Sequence, residues 1–289
     1  MSKKISSRTS GRLFIISTAL LWGLAGVCVK SIPWNSMSIM ASRCFIGIIM
    51  LGLSRKSFKI HPSKKTVLGS VMMSVTGLLY MMSIKLTTAA TAIVLQYIAP
   101  ILVFLFTVIF QKKKAKITEF LIVIAVFAGC VLSFADGLDP SRLLGNILGI
   151  LSGVSFAAQI IIFNDKEADS SGGMYLSNII SFAVCFPFMF FDKNMSINGE
   201  ILFWVLILGV FQYGLANICY AKGCYRLPQV ETSLLLTIEP VFNPIPVFFV
   251  TGEKPGTKAL IGCAVVIISI AIYGLLPVIE KKKNSEERK

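Results

Sequence analysis

The sequence predicts an all-α integral membrane protein: ten transmembrane helices arranged as two inverted five-helix repeats. Three observations carry that prediction. First, the 289 residues are 55% hydrophobic and only 15% charged, with mean hydropathy +0.78. A soluble domain runs nearer a quarter charged, and a chain this short has too little interior to hide so much apolar surface from water. Second, the apolar residues form continuous runs of about 18–22, the length of a helix crossing a ~30 Å hydrocarbon core, and do not alternate as barrel strands do. Third, the two halves of the chain resemble each other. An ordinary cytosolic enzyme, a nucleic-acid module and a disordered chain are all excluded, and no room remains for a soluble domain.

The apolar runs fall at 13–30, 36–53, 67–84, 88–110, 118–134, 145–163, 174–191, 201–219, 228–250 and 258–277. Turns or charge clusters separate them, including Arg55 to Lys65 and Lys112-Lys113-Lys114. The chain therefore divides into a cytoplasmic N-terminal tail (1–12), a first five-helix repeat (13–134), a second (145–277) and a basic cytoplasmic tail (278–289). The first run has the basic start of a secretory signal, but no A-x-A-like cleavage site follows it and it is long enough to span. It reads as the first helix.

The net charge of +14 follows membrane topology. With the amino terminus inside, 21 Lys and Arg fall in inner loops and tails and six in outer loops, leaving Arg43 within a span. This positive-inside asymmetry predicts a multi-pass cell-membrane protein with both termini in the cytoplasm. The seven cysteines are scattered through apolar stretches with no C-x-x-C, and the only histidine, His61, lies in a basic loop. They read as packing residues, and a buried metal site or a histidine-based nucleophilic centre has almost nothing to be made from.

The internal repeat rests on spacing. Gly11 precedes Trp22-Gly23 by the distance that separates Gly145 from Phe156-Ala157. Tyr80 stands 20 residues before Pro100, and Tyr220 stands 20 before Pro240. Lys85-Leu86 matches Arg226-Leu227 with one gap, and Ile98-Ala99-Pro100 matches Ile238-Glu239-Pro240. Each half has five spans, an odd number, so a tandem copy enters the membrane the opposite way up. Inverted repeats place a substrate site at their interface near the midplane.

A charge in hydrocarbon costs about 2.5–3.5 kcal/mol even on the lenient insertion scale, so intramembrane charges are functional candidates. Glu239 lies eleven residues past Pro228, roughly 16 Å deep and so about 14 Å from the outer face. Arg43, seven residues past Ser36, lies roughly 10 Å from that same face. The two depths agree within a turn. Both residues are expected to face a central cavity and to hold a zwitterionic or carboxylate-bearing solute, with Glu239 a candidate for proton exchange. A structural ion pair, or Arg43 snorkelling outward, is the alternative. Glu231, in the first turn after Pro228, reads only as a complement to the helix dipole.

Pro100 and Pro240 sit mid-span at equivalent positions and strip the Gln96 and Leu236 carbonyls of their helical donors. Such backbone is tolerated at depth only in protein or along an aqueous cavity, which makes these kinks candidate cavity walls. The remaining polar side chains at depth are Gln96, Gln159, Gln212, Asn217 and Asn243. Trp22, Tyr80, Tyr97, Phe156 and Tyr213 offer aromatic faces to an ammonium or a ring. Trp34 and Trp204, near span ends, read as interfacial belt residues. The chain lacks G-x-x-x-x-G-K-[ST], so no nucleotide is cradled and any energy comes from a gradient.

Together, two five-span halves, Trp22-Gly23, Arg43, Pro100 and Glu239-Pro240 followed by Gly252-Glu253 make the chain, over about residues 13–277, resemble the EamA family of the drug/metabolite transporter superfamily. The Gly-Glu ending occurs once, since the first half has Gln111-Lys112-Lys113 where the second has Thr251-Gly252-Glu253. The resemblance implies a ten-helix secondary transporter, often an exporter of amino acids or related metabolites. It needs no cofactor. Its partners would be a small-molecule substrate, protons as a candidate coupling ion, and membrane lipids, and it would work as a monomer or homodimer. A flippase for a lipid-linked substrate on the same scaffold stays open. A membrane-embedded enzyme is disfavoured because Glu239 has no partner acid or histidine at its depth.

Overall fold

Backbone N–H and C=O groups in hydrocarbon must be paired within the protein, so a chain of this composition folds as helices. A computed structural model describes residues 2–60, 63–87, 89–112, 116–133, 142–251 and 256–286. Every regular element among them is helical. The first half comprises α1 (Ser2–Trp22), α2 (Ala25–Ser31), α3 (Ser36–Arg55), α4 (Lys64–Leu86), α5 (Ala89–Gln96), α6 (Ala99–Ile109) and α7 (Ile117–Ser133). The second comprises α8 (Leu143–Phe163), α9 (Ser170–Met189), α10 (Gly199–Leu206), α11 (Ala216–Gly223), α12 (Gln229–Leu236), α13 (Ile238–Phe242), α14 (Pro244–Thr251) and α15 (Thr257–Glu286). A nine-residue π-helical stretch, Ile207–Leu215, joins α10 to α11.

Seven stretches are long and apolar enough to cross a membrane: Ser7–Ser31, Ser36–Arg55, Lys64–Leu86, Thr91–Ile109, Leu143–Phe163, Ser170–Met189 and Gly199–Arg226. Ile117–Leu132 and Leu260–Leu276 are shorter apolar helices. The ninth expected span, 228–250, is not one helix. It is cut into α12, α13 and α14 at Thr237 and Asn243, around the prolines at 240 and 244. The protein is multi-pass, and helix length alone does not reach the count of ten. The first helix, α1, begins at Ser2, ahead of the first apolar run. Gly252-Glu253, His61 and Lys113-Lys114 lie outside the described residues.

Side-chain caps fix helix starts in both halves. Asn35 accepts from the Ser38 N–H at 2.9 Å, and Asp169 accepts from Gly172 at 2.9 Å. Ser63 accepts from Thr66 at 3.1 Å and Asn198 from Ile201 at 2.8 Å. Each cap satisfies an orphan donor at a helix start. Trp34 is no belt residue. It is buried, and its indole N–H donates to the Ser196 carbonyl at 2.9 Å, tying the α2–α3 turn to the loop before α10.

The halves interleave. α4 packs on α8 and α1 on α11, while α3 meets α9 and α7 meets α15. Serines stitch α4 to α9, as Ser70 and Ser74 reach the Gly173 and Ser177 carbonyls at 2.9 and 3.0 Å. Two glycines mark close approaches. A Cβ on Gly11 would meet Arg226 Cβ at 2.8 Å, and one on Gly145 would lie 2.9 Å from the Leu86 carbonyl carbon and the Thr87 nitrogen. These are matched positions of the internal repeat. Gly145→Val should therefore force α8 off the end of α4 and destabilise the protein by about 1–3 kcal/mol. Gly274→Ala, whose Cβ meets nothing within 4 Å, should leave the melting temperature unchanged or slightly raised. Thermal melts in detergent check the pair.

Candidate substrate cavity

Both halves contribute to a central cavity of about 50 Å³. Its walls are Trp22 of α1, Arg43 of α3, Met73, Thr76, Gly77 and Tyr80 of α4, and Gln96 of α5. Phe156 and Gln159 of α8, Gln212 and Tyr213 of the π-helical stretch, and Glu239 of α13 complete it. This volume holds a few water molecules. It is well below the roughly 300 Å³ of a small-ligand pocket, so a metabolite can enter only if the walls separate.

Arg43 is buried and pairs with no anion among the described residues. Its Nη2 and Nε point at the Met40 sulfur at 2.8 and 3.1 Å, and the guanidinium stacks 4.3 Å from the centre of the Tyr213 ring. No ion pair joins it to Glu239 among the described residues. A thioether and a ring face are weak substitutes for a carboxylate. Gly77 makes room: a Cβ there would lie 3.3 Å from Arg43 Nη2 and 2.7 Å from Met40 Cε. The π-helical stretch brings two consecutive residues, Gln212 and Tyr213, to the cavity wall. π-Segments are rare and recur at functional sites.

Glu239 sits on the short helix α13 and is also buried. The Tyr97 hydroxyl stands 2.8 Å from its Oε2 and 2.7 Å from the Leu236 carbonyl oxygen. Leu236 is the carbonyl that Pro240 leaves without a helical donor. In the first half the corresponding break falls at Tyr97-Ile98, ahead of Pro100. There α8 packs against the freed backbone, since a Cβ on Gly153 would lie 2.7 Å from the Gln96 oxygen.

Aromatic rings line the ground between the two charges. Trp22 stacks on Tyr220 at 5.6 Å and meets Phe156 edge-on at 5.9 Å, and Phe156 meets Tyr97 at 6.3 Å. Both amide atoms of Gln159, the Gln212 Oε1 and the Tyr213 hydroxyl are buried with no protein partner. Buried polar atoms require a partner, and here the adjoining space is the cavity.

Of the residues singled out in the sequence, Arg43, Glu239, Trp22, Tyr80, Gln96, Phe156, Gln159, Gln212 and Tyr213 meet at this cavity. Three do not line it. Tyr97 stands behind Glu239 and orients it. Asn217 is buried and stands behind Tyr213, outside the cavity lining. Asn243 donates to the Gly23 carbonyl at 3.1 Å, bridging the α1–α2 break. Met73, Thr76 and Gly77 were missed. Their spacing from Tyr80 is that of one helix face, which was the available signal.

Glu231 does more than complement a dipole. Arg8 Nη2 and Arg12 Nε of α1 donate to its two oxygens at 2.5 and 2.6 Å. The carboxylate is buried while the arginines are about one-third exposed or more. These contacts clasp the start of α1 to α12. Glu231→Gln should lower stability by about 1–3 kcal/mol, the range of lost charge-assisted bonds, because the freed guanidiniums can turn to water. The test is a thermal melt, and Glu119→Gln serves as a control on another helix.

Apolar helices thus surround a small cavity lined by aromatic rings, three glutamines and two ionisable groups, and comparison with known proteins gives the class. The chain belongs to the EamA-like transporter family, whose model matches residues 9–135 and again residues 143–275. An uncharacterized inner membrane transporter, YicL of Salmonella typhimurium, is 22% identical over 292 residues, covering 94% of this chain and 97% of that protein. An uncharacterized transporter of Archaeoglobus fulgidus is 24% identical over 266 residues, with coverages of 91% and 95%. Protein LicB of Haemophilus influenzae is 24% identical over 248 residues, with coverages of 78% and 84%. A crystal structure 20% identical in sequence superposes with TM-score 0.78 over 93% of this chain and 98% of its own, establishing the same fold.

Proposed function

We propose that this protein is a secondary active transporter of a small polar metabolite. The cargo is zwitterionic or carboxylate-bearing, an amino acid or related compound, and the direction is export. The observation that carries the reading is a buried arginine that pairs with no anion among the described residues, sharing a small cavity with a buried glutamate from the other half. Arg43 supplies the site for a carboxylate, which would displace Tyr213 and Met40 from the guanidinium. Glu239 faces the ammonium end or takes up a proton.

The architecture supports alternating access. The double family match, the paired helix contacts and the matched glycine approaches support an inverted duplication of five helices, and so ten crossings with α7, α15 and the broken α12–α14 segment included. On this topology the Gly11–Arg226 and Gly145–Leu86 approaches lie at opposite ends of the cavity, and opening one while the other closes exposes the site to each side in turn. The 21-to-6 charge asymmetry supports cytoplasmic termini, which puts the Arg8–Arg12–Glu231 clasp at the cytoplasmic end.

Counterflow in proteoliposomes loaded with a panel of amino acids and related metabolites tests this. Uptake by the wild type of at least one carboxylate-bearing compound is expected. Arg43→Ala should reduce it by about 10–100-fold, the loss of a charge-assisted contact, and Arg43→Lys should restore part of it. Counterflow indifferent to Arg43→Ala would refute the carboxylate site.

A further inference from the structure

We infer that Glu239 carries a proton in this conformation, and that this proton and the Pro240 break are one coupled device. The inference rests on the transport reading only for its use; it deepens that reading by making the proton a ligand of the same site.

The argument is a count of hydrogens. The Tyr97 hydroxyl has oxygen neighbours at 2.7 Å, the Leu236 carbonyl, and 2.8 Å, Glu239 Oε2. One hydrogen can be split between two acceptors, but two whole hydrogen bonds of that length take two hydrogens. The phenol brings one, and a carbonyl brings none. Proline at 240 has removed the N–H that would otherwise satisfy Leu236. The arrangement that keeps both bonds whole has Tyr97 donating to Leu236 and the Glu239 carboxyl, in its acid form, donating to Tyr97. Ser70 shows the alternative. Placed between the Thr66 and Gly173 carbonyls at 2.7 and 2.9 Å, it has to divide its single hydrogen. Tyr97 does not, because its second neighbour is a group that can supply its own.

The surroundings agree with a neutral acid. Glu239 makes no ion pair among the described residues. The ionisable groups facing it are Tyr97 and, from α4, Tyr80. The nearest candidate cation, Arg43 on α3, shares the cavity but is turned to Tyr213 and Met40. If the proton leaves into the cavity, Tyr97 must choose between a buried carboxylate and a buried carbonyl, and one loses its donor. Losing either is unfavourable, so deprotonation at Glu239 and backbone geometry at the α12–α13 break shift together.

Infrared difference spectroscopy on the full chain in lipid, using pH steps alone as the probe, tests the device. A protonated-carboxyl band is expected at neutral pH in the wild type and absent from Glu239→Gln. Pro240→Ala and Pro240→Gly return an N–H to Leu236, freeing Tyr97 to donate to the carboxylate, so the band should fall several-fold. A wild type with no band removable by Glu239→Gln would overturn the inference, as would a full-sized band in either folded proline variant. If neither proline variant folds, the first comparison decides alone. No cargo is needed, so this result separates from counterflow: a protein that transports but lacks the band keeps its function and loses this device.

Discussion

A carbonyl released from a helix in hydrocarbon has to find another donor, and that constraint organises the centre of this molecule. The matched prolines each release one. In each half the broken backbone is packed by the first helix of the other half. Gly153 of α8 lets that helix settle on Gln96, and Gly23 at the end of α1 lies where a Cβ would be 3.3 Å from the Glu239 carbonyl. Tyr97 then serves the Leu236 carbonyl across 139 residues of chain. The breaks, the small residues and the tyrosine together form a polar interior without exposing backbone to lipid.

On this paired framework the charges are placed singly. The helix starts Ser36 and Ser170 bring Ser177 to the position of Arg43, and Pro100 with Pro240 brings Ala99 to the position of Glu239. Gln96 corresponds in the same register to Leu236. A symmetric scaffold can rock between two arrangements, while an asymmetric lining gives a cargo with unlike ends one orientation. The clasp at Glu231 is likewise single, because the matching residue in the first half is Thr91.

Much of this was legible in the sequence because the solvent is lipid. Charges and amides at depth are few, each stands out, and nine of the twelve charged, amide and aromatic residues singled out meet at the cavity. The kinks were legible from Pro100 and Pro240. Their outcome was not, because full breaks depend on partners distant in sequence, as Tyr97 and Asn243 show. Glu231 was misread for the same reason: its ligands come from α1, more than 200 residues away. The π-helical stretch at Gln212-Tyr213 carries no local signature, since it depends on how Gly209 and Gly214 settle against α3.

The central claim, that an acid and a base from two opposed halves share one chamber reached alternately from each side, has a direct measurement. Thr76, on the wall between them, is replaced by cysteine in a background freed of the seven native cysteines. Membrane-impermeant thiol reagents are then applied to one face or the other. The account predicts labelling from both faces, with cargo changing the balance between them. A cysteine that reacts from neither face, or from one face alone under every condition, would contradict it.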